Sequence, residues 1–387
     1  MLGNIYHIAL RECGIMWRHP IYGFCMVIFP VLVIVFFTSL MGEGVPEEMP
    51  VGVVDQDNTL TTRALIRDID AFQTTKVVAY YDNMDQARTA MQRNEIYGFI
   101  LLPRGTTRKL MSSSQPDISF YYSNVSLIAG SLIFRDLKTA TTLEAASVGI
   151  TKLAAVGKSN EEIKDFLQPI VVDLHMIGNP YSNYNYYLST TMVPGVLLLL
   201  VFLITPYSIG TELKFGKSRE WMRLADNNIY VAMVGKMLPQ TLIFLCIFYA
   251  FELYIYAFLG FPHPGGVLPI LLLGFLSVLA SQCFGIFAFG LMPSLRMSLS
   301  LCSLWGVVSF SICGATYPVF SMSPFLQGVS TLFPLRHYYM TYQICVLHGF
   351  PLTYAMSHIL ALCIFMALPF ATLWNVKRAM LVYKYMP

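Results

Sequence analysis

Between Ile21 and Leu40 the sequence reads IYGFCMVIFPVLVIVFFTSL, an apolar run without one charged side chain. A hydrocarbon core about 30 Å thick needs roughly 20 mostly apolar helical residues to cross it. The run meets that length and exceeds the roughly 7–15 residue apolar core of a signal peptide, and no small-x-small cleavage site follows it. It reads as an uncleaved anchor. A polar stretch follows from Gly42 to about Leu188, after which the chain is apolar almost to its end. Further spans are expected near Ser189–Gly210, Val231–Leu259, Val267–Leu291, Ser298–Tyr317 and Tyr354–Asn375.

Composition agrees. The 387 residues are 56% hydrophobic and 12% charged, against about 25% charged in a soluble domain. That excludes a disordered chain, a basic nucleic-acid-binding protein and an ordinary cytosolic enzyme. No Cys lies between Thr38 and Leu245, so no disulfide framework holds that region.

Lys and Arg in short loops set orientation, because long domains translocate largely regardless of charge. One side collects Arg11, Arg18, Lys214, Lys217, Arg219, Arg223, Lys236, Arg296, Lys377, Arg378 and Lys384, and the other holds Arg336 alone. Both termini and the Thr211–Tyr230 loop are therefore expected in the cytoplasm, with residues 42–188 outside the inner membrane. The net charge of +3 divides accordingly: Gly42–Leu188 carries 13 basic and 17 acidic residues (−4), and the remainder 12 and 5 (+7).

Within the polar stretch, strands are predicted at Val51–Asp55, Lys76–Tyr81, Ile96–Leu102 and Ile118–Tyr122. They alternate with helices capped by Thr59 or Thr61 and started by Asp82–Asn83. A long helix is expected from Asn124 towards Val156, a shorter one at Glu161–Leu167, and a final strand at Ile170–Met176. The fold class is a polytopic α-helical membrane protein with an inserted α/β extracytoplasmic domain. Its parts are an interfacial helix (1–20), the first span (21–41), the external domain (42–188) and five more spans (189–387). The last part includes a re-entrant segment at about 314–349, where Pro318, Pro324 and Pro334 break short apolar pieces.

Several motifs bear on function. Gly216-Lys217-Ser218 resembles the end of a phosphate-binding loop, but Thr211 stands where that loop needs Gly, and a span precedes it rather than a strand. No ATPase site is expected on this chain. The seven His and eight Cys show no ligand spacing for a metal, and no nucleophile elbow occurs. Glu252 is the acidic residue inside a span, a candidate for substrate or proton handling, although it lies about two turns from the span's end by helical rise and could reach the interface. The segment Leu2–His19 mixes Ile5, Ile8 and Met16 with Arg11, Glu12 and Arg18, which suits a helix lying in the membrane interface. In the Thr211–Tyr230 loop, Trp221 and Met222 could anchor a cytoplasmic partner or merely belong to a positive-inside loop. Tyr181, Tyr184, Tyr186 and Tyr187 form an aromatic belt before the second span.

Taken in order, these segments resemble the permease subunits of type-2 ABC exporters, in the branch with a large external domain after the first span. The marks are Val51–Thr59, Asn179-Pro180, Val193-Pro194-Gly195, Gly235-Lys236-Met237-Leu238-Pro239, and Tyr317-Pro318 through Phe333-Pro334-Leu335. The loop Glu212…Gly216-Lys217-Ser218-Arg219-Glu220-Trp221 departs from the commoner family run of Gly-Thr-x-Glu followed by Thr-Pro. The resemblance implies a subunit that binds no cofactor itself and works with separate ATP-binding subunits, which use the ATP. It also implies a second permease subunit, identical or paralogous, and contact with membrane lipid. The ATPase subunits would push on the interfacial helix and on the loop bearing Glu212, Gly216, Lys217, Ser218, Arg219, Glu220 and Trp221. The re-entrant segment would cap the path, and the outer domain could pass a hydrophobic or amphipathic substrate to a periplasmic adaptor. A sensor or scaffold with a ligand-binding outer domain is the alternative from another class, and a secondary transporter would show inverted repeats or more intramembrane charges.

Overall fold

The computed structural model describes residues 1–112, 114–168, 175, 178–179 and 182–383. The strand expected over Ile170–Met176 falls, His175 apart, outside the described residues, as do Pro180, Tyr181 and Lys384. The chain forms two compact units, one from Met1–Gly42 with Met176–Pro387 and one from Glu43–His175. The first unit opens with helix α1 (Leu2–Arg18) and the first apolar helix, α2 (Pro20–Leu40). Pro30 offers no N–H to the carbonyl of Met26, and the helix widens there into a π turn at Phe24–Ile28.

The second unit is built on a four-stranded sheet. Strand β1 (Met49–Asp55) leads through helix α3 (Leu60–Asp70) to β2 (Thr75–Tyr80), then through α4 (Met84–Gln92) to β3 (Gly98–Leu102). A short helix α5 (Thr106–Met111), which periodicity did not announce, precedes β4 (Ser119–Tyr122). The order is β2-β1-β3-β4, with β1 parallel to β2 and β3, and β4 antiparallel to β3. The central strand is apolar on both faces because both are covered. Val51 and Val53 pack on one side with Leu65, Ile66, Ile133 and Leu137, and Val54 packs on the other with Ala87, Ala90 and Phe99. Gly52 lets the Tyr81 ring lie against the strand: a Cβ there would sit 2.7 Å from that ring. Asp55 accepts from the backbone N–H groups of Asp57 and Asn58 and from the Thr62 hydroxyl at 2.7 Å, closing the turn into α3, where Thr59 provides the cap. Helices α6 (Leu127–Ala155) and α7 (Asn160–Leu167) complete the unit, α7 starting on a Ser159–Glu162 capping box.

The first unit resumes with α8 (Tyr184–Lys214), α9 (Ser218–Leu224), α10 (Ile229–Phe258), α11 (Val267–Leu291) and α12 (Leu295–Ile312). Short helices α13 (Pro324–Ser330) and α14 (Pro334–Thr341) follow, then α15 (Leu352–Val382). Six of the described helices are long and apolar enough to cross a membrane, and the chain is a multi-pass membrane protein. In α8 and α11, 72% and 67% of the most apolar stretch is buried, against a third or less in the other four. These two helices therefore form the centre of the bundle.

The boundaries correct one expectation. Thr211–Tyr230 is not a single loop: α8 runs on to Lys214, α9 is helical, and α10 begins at Ile229. Between α9 and α10, Asp226 and Asn227 take left-handed backbone conformations (φ 53° and 56°), which Asp and Asn tolerate better than most residues.

Candidate coupling site

The first helix carries Ile8, Glu12 and Met16 at four-residue spacing, which places all three on one stripe. All three are buried. A carboxylate on a buried stripe needs a partner, and α10 supplies it. Gly235 lets the helices approach closely, since a Cβ there would lie 2.8 Å from the Cβ of Ile8. One residue on, Lys236 Nζ stands 2.6 Å from Glu12 Oε2 and 2.8 Å from Glu212 Oε1 at the end of α8. Arg11 closes the chain of charges with a bidentate pair on Glu212, Nη1 to Oε1 at 2.7 Å and Nη2 to Oε2 at 2.9 Å. Two carboxylates thus face two cations.

Neutral groups fill the remaining valences. Ser208 donates to Glu12 Oε1 at 3.1 Å, and Gln240 Nε2 donates to the same oxygen at 3.2 Å and to Ser208 Oγ at 2.7 Å. Ser208 with Glu212, and Lys236 with Gln240, are pairs four apart on one face of their helices. Burial works against the Arg11 charge, but the hydrogen bonds to Glu212, with Glu212, Glu12 and Glu220 nearby, outweigh it and raise its pKa.

Helix α9 is seated on this cluster. Lys236 Nζ lies 5.2 Å from the centre of the Trp221 ring, within cation–π reach. Trp221 and Met222 are fully buried and share an apolar cluster with Ile8, Leu213, Ile229 and Val376. Asn4 of α1 also donates to Asp226 at 2.5 Å. The first helix, the ends of α8 and α15, helix α9 and the start of α10 are therefore joined by charge and by apolar contact.

Several sequence candidates change character here. Trp221 and Met222 are not available as anchors for a partner, because this chain buries them itself. Glu212 and Ser218 are buried as well, whereas Gly216, Lys217, Arg219 and Glu220 are exposed, together with Phe215. The sequence predicts Glu12 on a helix lying in the membrane interface, and Lys236 at the cytoplasmic opening of the third span as one of the charges that set orientation; they are the most deeply buried charges of the cluster. The spacing Ile8–Glu12–Met16 was the available signal.

Glu252 lies elsewhere on α10. It is 5% exposed, and its Oε2 has no hydrogen-bond partner among the described residues. Four residues further along α10, the hydroxyl of Tyr256 meets that of Tyr342 at 2.5 Å. Pro324 and Pro334 each start a short helix, α13 and α14, as proline's fixed φ favours. Pro318 and Pro324 are exposed, while Pro334 and the tyrosines after it are buried.

Residues 21–374 match the sequence model of the ABC-2 family transporter proteins. The chain belongs to that family. A further match is the linearmycin resistance permease protein LnrN of Bacillus subtilis (strain 168), 21% identical over 247 residues, which cover 60% of this chain. The match spans 62% of that relative's length. Membership of the ABC-2 family makes the chain a transporter component rather than a catalytic enzyme. In this family member Gly216-Lys217-Ser218 follows an α-helix, not the β-strand of a phosphate-binding loop.

Proposed function

We propose that the chain is the permease subunit of an ATP-driven exporter, moving a hydrophobic or amphipathic substrate across or out of the inner membrane. Both termini and α9 face the cytoplasm, and residues 42–188 lie outside. Two permease subunits, identical or paralogous, pair in the lipid bilayer, and separate ATPase subunits dock on the surface formed by the exposed Phe215, Gly216, Lys217, Arg219 and Glu220. The resistance role in the relative's name supports outward movement. The observation that carries the reading is the buried chain of charges from Arg11 through Glu212 and Lys236 to Glu12. Its members come from α1, α8 and α10, with α9 resting on it through Trp221. A push on α9 is then delivered to two spans and the first helix together.

Replacing Lys217 and Arg219 by Glu tests the docking surface, because both are exposed and the fold does not need them. Like charges brought together across an interface cost several kcal/mol. Co-purification of the ATPase subunit should therefore fall at least about tenfold (1.4 kcal/mol) while the permease stays folded. Undiminished co-purification would contradict this docking site.

A further inference from the structure

In the unit Glu43–His175, a cleft of about 580 Å³ opens between α3, α5, β4 and α6. That is within the roughly 300–1,000 Å³ typical of small-molecule sites. Its walls include Leu65, Leu110, Ile118, Phe120 and Val148, and the hydroxyls of the lining residues Thr62, Thr106 and Thr141 already donate to Asp55 and to the carbonyls of Pro103 and Leu137. Such a lining takes an apolar body.

One charge in the wall stands out. Glu144 of α6 is half-buried in the cleft and has no hydrogen bond or ion pair among the described residues. Burial, reinforced by the like charge of Asp68 on α3, pushes its carboxyl pKa up. The other charges of the lining are engaged elsewhere. Asp117 pairs with Lys109 at 3.7 Å, and Lys152 donates to the carbonyl of Leu110. Lys152 also sits about 12 Å further along α6 by helical rise. An apolar cleft whose unsatisfied group is a carboxylate is complementary to a cation with an apolar body.

We propose that this cleft binds amphipathic amines, with the ammonium group at Glu144 and the apolar body against Leu65, Phe120 and Val148. The site is distinct from the coupling cluster. It rests on the permease reading only for the further claim that the bound amine is cargo.

Three probes with one bicyclic body separate the contributions: 1-naphthylmethylamine (cation), 1-naphthylmethanol (neutral) and 1-naphthylacetate (anion). Each is measured by equilibrium dialysis against the full-length chain in lipid nanodiscs, with binding to empty discs subtracted. The amine should bind at least about tenfold tighter than the alcohol, as one charge-assisted hydrogen bond allows, and the acetate weakest. Glu144→Gln should bring the amine down to the alcohol's affinity and leave the alcohol unchanged, and Val148→Trp should abolish both by filling the cleft. Equal affinities of amine and alcohol, unchanged amine binding in Glu144→Gln, or no binding above empty discs would each overturn the proposal. None of these results touches co-purification of an ATPase subunit, so the permease reading fails or survives separately.

Discussion

Lys236 and Glu12, 224 positions apart in sequence, form an ion pair of 2.6 Å in which the side chains are 1% and 0% exposed. A pair this deep is held by more than its own attraction, because removing both charges from water costs several kcal/mol each. The second carboxylate, Glu212, and the donors Ser208 and Gln240 complete the shell. The cluster is therefore better understood as a device that fixes which helix ends stay together than as a source of net stability.

Breaking it on one side should be severe. Lys236→Met leaves two buried carboxylates with Arg11 alone, and the loss should be about 3–5 kcal/mol. The double variant Glu12→Leu/Lys236→Met removes one charge of each sign and should recover much of that loss. Denaturant unfolding of the purified variants measures both.

Truncating Trp221 separates packing from surface charge. Trp221→Ala should cost about 3–5 kcal/mol, as for other buried aromatic residues, and should loosen α9 from the bundle. Exchanging the exposed Arg219 and Glu220 should change stability by no more than about 0.5 kcal/mol, while weakening recovery of the ATPase subunit.

For Glu252 the two properties should part in the other direction. Among the described residues its carboxylate has no ion pair to lose, so Glu252→Gln should alter stability by less than about 1.5 kcal/mol, the range of a single neutral hydrogen bond. If a substrate cation or proton uses this group, export by the reconstituted complex should fall roughly tenfold, the worth of one hydrogen bond to a charged group. Unchanged export would leave Glu252 without a transport role.

The unit Glu43–His175 should weaken in acid. Asp57 is held below the usual carboxylate range by hydrogen bonds from Thr107 and from the backbone N–H groups of Thr107 and Gly105, the latter two at 2.9 and 2.7 Å. A depressed folded-state pKa means that its contribution is fully present above the unfolded value of about 3.9. It is lost as pH falls through the lower folded value. Asp57→Ala should therefore lower the thermal midpoint at neutral pH and shrink the further loss seen as pH falls below the unfolded carboxylate value of about 3.9.

Much of this fold was legible in the sequence, and for definite reasons. The charge-free run Ile21–Leu40 and the apolar stretches after Leu188 could do little but form long helices. Val51–Asp55 with the Thr59 cap announced a strand and a helix through residue types whose preferences are local. Helix α5 was missed because six residues reading TTRKLM carry no apolar period. The coupling cluster was only half visible. Glu212 and Trp221 attracted notice as members of a charged loop, but their burial depends on α1 returning to α8 and α10, a contact between residues some 200 apart. Lys236 looked like one more topological positive charge because its partners are not its sequence neighbours.

The central claim is that α1, α9 and the start of α10 move as one body when ATP is used. Asn4 and Asp226 are in hydrogen-bond contact between α1 and the turn after α9, so cysteines at both places can be cross-linked through disulfide bonds to a short bis-methanethiosulfonate spacer, an oxidation that reductant reverses, in a background lacking Cys13. The decisive measurement is ATP-driven export by the reconstituted complex, read with its ATP consumption, before and after that oxidation. A rigid unit predicts export and ATP consumption unchanged by the bond. Export that stops on oxidation and returns on reduction would show that the two elements must separate, and would contradict the account.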